Sequence, residues 1–306
     1  MSPDDPYLAY PLRRRGYDHD RYEWEPIGSR PLPTWPGDAH AALLVVVPLQ
    51  WFRFDGHGAL APLGGPSKEY PDYREWSWKD YGMRVGLFRV LDVLERLGVR
   101  ATVAADAETC RRYPRALDEA RARGLELAVH GKSANDLHHD GLSEAQERAL
   151  IAEAVEAVSQ AAGEPARGWL SPSRTQSERT ASLLVEHGLD YVLDWANDDA
   201  PYRLNAGGGQ LVSLPLSYEL HDVNAIWQLR HTAPEWAEQV ADAAALIDTE
   251  GREEGGRLLA LTVTPWLLGQ PHRIPHLERA LARVTEHERV WSGSGTAIVE
   301  AFCAGT

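Results

Sequence analysis

The nine residues Leu125-Glu126-Leu127-Ala128-Val129-His130-Gly131-Lys132-Ser133 carry the reading of the fold. Leu125 to Val129 is a short apolar run of strand length, a histidine ends it, and a glycine lets the backbone turn away. In parallel α/β architectures chemistry gathers where strands hand over to their loops, so a histidine at that junction marks a site.

Outward from this stretch the same pattern recurs. Ala41 to Val47 is a continuous apolar run, the signature of a strand buried on both faces. After a Gly/Pro-rich loop over residues 56 to 80, Leu87, Val90, Leu91, Leu94 and Leu97 repeat at helical spacing, Gly98 closes that helix, and Val99 to Ala105 is the next strand. A helix around Pro114 to Arg123 precedes the strand at Leu125. Ser143 with Gln146 reads as a capping box opening a long helix that ends before Gly163. Strands at Gly168–Leu170, Tyr191–Leu193, Leu211–Leu216, Leu258–Val263 and Val290–Trp291 then alternate with helices at Ser177–His187, Ala233–Ile247, Pro275–Val284 and the C-terminus. Strand–helix repeats at this pitch favour a parallel sheet. Seven or eight such strands fit a closed (β/α) barrel better than an open doubly wound sheet, and no G-x-G-x-x-G follows a strand. One domain over residues 41–306 is expected. It is preceded by an extended arm, residues 1–40, that packs through Tyr22, Trp24 and Trp35 on the barrel or on a neighbouring subunit, so a homo-oligomer is expected.

Composition bounds the function. The 306 residues are 43% apolar and 25% charged, ordinary for a globular chain, and the net charge of −14 argues against nucleic acid or an anionic membrane as the partner. Cys110 and Cys303 are too few and too isolated for a disulfide framework or a cysteine metal site. Met1 is followed by Ser-Pro-Asp-Asp rather than by a basic and then apolar leader, and the apolar run at Ala41 is too short to span a bilayer. A cytoplasmic protein acting on a small molecule is therefore expected.

In a barrel, the residues just after each strand converge on one face: Gln50-Trp51, Asp106, His130, Ser171 to Arg174, Asp194-Trp195, Glu219 to Asp222, and Thr264 to Trp266. Arg174 either grips an anionic group of a ligand or pairs with an acidic side chain. Asp194 either faces the pocket, orienting Arg174 or acting as a base, or forms an inter-loop ion pair. Trp51, Trp195 and Trp266, with Asp106, either wall a substrate pocket or pack the barrel mouth.

The ordered motifs Val129-His130-Gly131, Gly168-Trp169-Leu170-Ser171-Pro172, Leu193-Asp194-Trp195-Ala196-Asn197-Asp198-Asp199 and Thr264 to Arg273 resemble the polysaccharide deacetylase (NodB-homology) superfamily, in particular its allantoinase-like cytoplasmic branch. The resemblance runs from about Val45 to the end. It implies a distorted (β/α) barrel and hydrolysis of a non-peptide carbon–nitrogen bond in an amide or imide. In metal-dependent members an Asp and two His, spaced His-x-x-x-His, hold a divalent ion such as zinc, a carboxylate on the first strand is the base, and a late His protonates the leaving group. An ion of that kind polarises the carbonyl and lowers the pKa of its water.

Three positions depart from that pattern. The first strand ends Pro48-Leu49-Gln50 without an acid, position 134 is Ala, and Thr264 stands where the late histidine would be. Asp136 or His138, with His139, could rebuild a ligand set around His130, and Asp55 or His57 could supply a displaced base. The reading is a carbon–nitrogen hydrolase with a remodelled site. His130 would be metal ligand or general acid/base, Gln50 and Thr264 would position substrate, and Arg174 and Asp194 would set the charge. A metal-free lyase, cyclase or isomerase and a non-catalytic small-molecule-binding protein are the alternatives.

Overall fold

Nine consecutive apolar residues with no charge among them bury a strand on both faces, and Ala41–Leu49 forms such a strand, β1. The computed structural model describes residues 19, 21–22, 25–54 and 72–305. The other strands are β2 (Ala101–Ala105), β3 (Glu126–Val129), β4 (Gly168–Trp169), β5 (Tyr191–Val192), β6 (Tyr202–Asn205), β7 (Gln210–Ser213), β8 (Arg257–Thr262) and β9 (Val290–Ser292). They form one sheet in the order β6-β7-β5-β4-β3-β2-β1-β8, with β9 alongside the start of β1. Every ladder is parallel except β6 with β7.

The sheet curls until its ends meet. Beyond β7, the Ser217 N–H donates to the Ala260 carbonyl at 3.3 Å, and the Leu258 N–H donates to the Asp199 carbonyl at 2.7 Å. Two contacts in place of a full ladder make this a distorted α/β barrel, the architecture the alternation of elements predicts.

The helices are α1 (Tyr73–Tyr81), α2 (Leu87–Arg96), α3 (Ala107–Arg112), α4 (Pro114–Ala122), α5 (Glu144–Ala162), α6 (Thr180–Glu186), α7 (Ala233–Glu254), α8 (Pro265–Leu268), α9 (Ile274–Thr285) and α10 (Gly295–Gly305). A π-helical turn, Gly82–Gly86, joins α1 to α2. That turn lies against α8 so closely that a Cβ on Gly86 would stand 2.1 Å from the Pro265 carbonyl oxygen. The Ser143 capping box opens α5, and Gly163 closes it in a left-handed conformation.

Side chains alternate along a strand, and that alternation places the site. On β1, Leu43, Val45, Val47 and Leu49 join the outer core under the helices, whereas Ala42, Leu44 and Val46 face the barrel interior. The interior parity continues to Pro48 and Gln50. On β8 it runs from Leu258 and Ala260 to Thr262 and Thr264, and after β7 it carries Leu214 and Leu216. At the amino-terminal ends of the strands, Ile298, Val299 and Phe302 of α10 fill the interior beside Trp35.

Several local expectations change. The segment read as a loop to residue 80 is helical from Tyr73, because Asp72 caps α1 by accepting from the Arg74 and Glu75 N–H groups. The helix read from Ser177 starts at Thr180, and the strand read to Leu216 ends at Ser213 behind the unexpected antiparallel β6. The described part of the arm packs on its own barrel: Trp35 Nε1 donates to the Arg257 carbonyl at 2.9 Å, and Tyr22 meets Trp195 and Tyr202 edge-on. Trp24, Asp55 and His57 lie outside the described residues. Among the described residues no helix is long and apolar enough to cross a membrane.

Candidate active site

The interior parity brings Pro48 and Gln50 from β1, Thr262 and Thr264 from β8, and Leu216 from beyond β7 to the carboxyl mouth of the barrel. There they line a cavity of about 90 Å³ with His130, Ser171, Arg174, His221 and Trp266. Of the residues singled out in the sequence, it therefore gathers Gln50, His130, Arg174, Thr264 and Trp266.

His130 directly follows β3 and is buried. Its Nδ1 lies 2.7 Å from the Leu170 carbonyl oxygen. A carbonyl only accepts, so the proton sits on Nδ1, and Nε2 is left as a lone pair for the cavity. Burial, against the pull of the Leu170 hydrogen bond and reinforced by the Arg174 charge, lowers its pKa to about 4, so the ring is neutral at pH 7. Gly131 makes the turn at φ +71°, and a Cβ there would stand 2.5 Å from Pro172 Cγ. The His-Gly pair and the Ser-Pro pair after β4 thus interlock, and this holds Leu170 against the imidazole.

Ser173 and Arg174 both adopt left-handed backbone conformations, φ +54° and +55°. Each such non-glycine residue costs about 1–3 kcal/mol and persists only where the surroundings enforce it. Here the strained turn points the guanidinium into the cavity, where it donates to the Leu216 carbonyl at 2.8 Å and, more weakly, to the Ser217 carbonyl at 3.4 Å. No carboxylate contacts it among the described residues. Burial lowers its pKa, opposed by the more distant charge of Asp194.

His221 complements His130. Its Nδ1 accepts the Val223 N–H at 3.1 Å, so a neutral ring carries its proton on Nε2. Burial and then the neighbouring Arg174 and His130 lower its pKa to about 3. The adjacent Asp222 accepts from the Thr264 N–H at 2.6 Å and the Thr264 hydroxyl at 2.8 Å. Burial raises the Asp222 pKa to about 7 against these hydrogen bonds. The sequence shows His221 only as one of several polar residues after a strand. Its role comes from the π-helical turn Val223–Gln228, which has no clear sequence signal.

Other expected site residues lie elsewhere. Asp194 has the opposite parity to Leu193, which is interior, and it sits behind the cavity wall, accepting from the Ser171 N–H and hydroxyl, both at 2.7 Å, and from Gln176. Asp106 is drawn into capping α3, accepting from the Thr109 N–H at 2.6 Å, and also takes the Trp51 N–H at 2.7 Å. Burial raises its pKa to about 7. Trp51 carries the Arg112 guanidinium over its ring at 4.3 Å, and Trp195 packs on Tyr22. None of these four lines the cavity.

The described residues do not fit a divalent ion. A catalytic zinc site needs about three converging protein ligands. His138 is fully buried beside Glu147, with Nδ1 3.3 Å from its Oε1 and its ring against Trp169. Asp136 accepts from the Ser133 hydroxyl. Neither joins His130, and among the described residues no three His, Cys, Asp or Glu side chains converge as a metal site. The cavity instead holds one free imidazole nitrogen beside a cation, which repels a second positive charge.

A sequence model of the polysaccharide deacetylase family matches residues 79–192. A curated relative from Schizosaccharomyces pombe, described as "Putative polysaccharide deacetylase", is 22% identical over 307 residues, spanning 92% of this chain and 94% of that protein. Among solved structures, a PuuE allantoinase superposes with a TM-score of 0.80 at 26% identity, covering 92% of this chain and 98% of that one. A "probable Polysaccharide deacetylase" from Pseudomonas aeruginosa PAO1 gives 0.78 at 25% identity, with the same coverage.

Proposed function

We propose that this chain, similar over residues 79–192 to the polysaccharide deacetylase family and in its fold to a PuuE allantoinase, hydrolyses the non-peptide carbon–nitrogen bond of a small polar amide or imide with His130 as general base and no metal ion activating the water. The observation that carries this reading is the fixed His130 tautomer: Nδ1 is committed to the Leu170 carbonyl, and Nε2 is free at the cavity.

Water attacks the substrate carbonyl carbon as its proton moves to His130 Nε2. The carbonyl oxygen becomes an oxyanion facing the Nε2–H of His221. When the carbon–nitrogen bond breaks, the Nε2 proton of His130 passes to the leaving nitrogen, so one imidazole serves both steps. A conjugate acid with a pKa of about 4 is a strong proton donor for that second step. Thr264, whose proton is held by Asp222, offers its oxygen lone pairs to a substrate N–H, and Gln50 has both an amide donor and an acceptor at the mouth. Free Cys110 and Cys303 accord with a reducing, cytosolic setting.

The test is turnover of a panel of small ureides and N-acyl amides by the purified protein. His130→Ala should lower kcat about 10²–10⁴-fold, the usual contribution of a positioned general base. Dialysis against a chelator should leave the rate unchanged. Activity lost to the chelator and restored by zinc would overturn the metal-free assignment. A second reading, a binding protein without catalysis, draws on the absence of any carboxylate from the cavity lining among the described residues. Binding of panel members without turnover would decide for it.

A further inference from the structure

We propose that this pocket is built for substrates that carry a carboxylate, which docks on the Arg174 guanidinium with the Nε2–H of His221 beside it. The inference rests on the reading of the cavity as the active site and names the class of molecule it takes.

The argument begins with charge. Among the described residues Arg174 is the only charged side chain at neutral pH in the cavity lining, since His130 and His221 are both neutral there. A chain of net charge −14 thus presents a positive pocket. A half-buried guanidinium, partly withdrawn from water, is ordinarily matched by a carboxylate, because carbonyl oxygens alone offset its lost hydration poorly. Here its partners are the Leu216 and Ser217 carbonyls, and its remaining N–H groups have none among the described residues. The nearest candidate counter-ion, Asp194, spends both oxygens on Ser171 and Gln176.

Geometry adds to this. Two successive left-handed residues, Ser173 and Arg174, hold the side chain at the mouth, an arrangement a merely solvated arginine would not need. The planar fork of a guanidinium matches a carboxylate with two parallel hydrogen bonds. Beside it stand the two neutral histidines and the Tyr218 ring, 5.8 Å from the guanidinium, so among the described residues no carboxylate in the cavity lining competes with an incoming anion. The described part of the cavity, about 90 Å³, suits a small ligand.

The experiment compares a matched pair, N-carbamoylglycine and its neutral primary amide, by isothermal titration calorimetry on the full chain. The acid should bind about tenfold or more tighter than the amide, as expected for a charge-assisted bidentate contact. Arg174→Gln should abolish the preference. Arg174→Lys, which keeps the charge and loses the fork, should retain part of it and serves if the glutamine variant does not fold. Equal binding of the pair, no binding of the acid, or a preference that survives Arg174→Gln overturns the proposal. In the calorimeter a saturating isotherm reports binding and a sustained heat flow reports turnover, so the two readings fail separately. Acid preference with no hydrolysis keeps the anion site and removes the hydrolase, whereas hydrolysis with no preference does the reverse.

Discussion

At the scale of single residues, the proton inventory of His130 governs what the site does. The neutral ring is the working base, and burial is the main force that keeps it neutral, since charging it would place an ion in a cavity that already holds Arg174. The acid limb of kcat/KM should therefore lie near pH 4 instead of near the ordinary histidine value of 6.5. As pH falls through about 4, the imidazole gains a proton, loses its lone pair, and the rate drops; above that, this group sets no further limb. Arg174→Gln removes a cation that disfavours protonation, so in that variant the limb should move up towards 6.5. A wild-type limb at 6.5 would mean that the imidazole is solvated. The same depressed pKa makes the histidine's contribution to stability fully present above pH 6.5 and lost as pH falls through about 4. His130 was legible in the sequence because it directly follows an apolar strand. Asp194 and Asp106 follow strands too, but strand ends do not reveal which acids are claimed by a backbone N–H, and those two are.

At the scale of elements, much of the site follows from strand parity, and parity is legible once an inner face is known. The run Ala42, Leu44, Val46, Pro48, Gln50 is one such face, and Leu258, Ala260, Thr262, Thr264 is another. By the same count Asp194 falls out of the pocket one residue after inward-facing Leu193. What the sequence conceals are the turns. The π-helical segment that presents His221 and the left-handed pair at Ser173 and Arg174 are enforced by tertiary packing and leave little pattern of their own. Gly131 tests how tightly one such turn is specified. A methyl group there meets both an unfavourable φ of +71° and the Pro172 ring at 2.5 Å. Gly131→Ala should cost at least about 1–3 kcal/mol of stability in urea titration, and it should lower kcat by shifting Leu170 away from His130. A variant as stable and active as the parent would show that the interlock of the two loops is not needed.

At the scale of the whole molecule, the barrel separates its functions along its axis. The alternation of elements predicts a barrel, but not how such a sheet is stoppered. α10, with Trp35 from the segment before β1, fills the amino-terminal end: Gly295 N–H donates to Thr102 Oγ1 at 2.8 Å and Gly293 N–H to the Leu43 carbonyl at 3.1 Å, both near strand starts. The cavity occupies the opposite end, at the strand termini. Ile298 is fully buried in the interior cluster, yet the chemistry proposed for the mouth makes no use of it. Ile298→Ala should therefore cost about 2–5 kcal/mol, the range for truncating a buried branched side chain, and lower Tm accordingly. At a temperature where both proteins are folded, its kcat/KM and the position of its acid limb should match the parent's, because no cavity-lining group or hydrogen bond changes. If the truncation instead moved the His130 limb, the floor and the mouth would be mechanically coupled through strands only a few residues long. The pocket's geometry would then depend on how α10 is seated, and not on strand parity and the Gly131–Pro172 interlock alone.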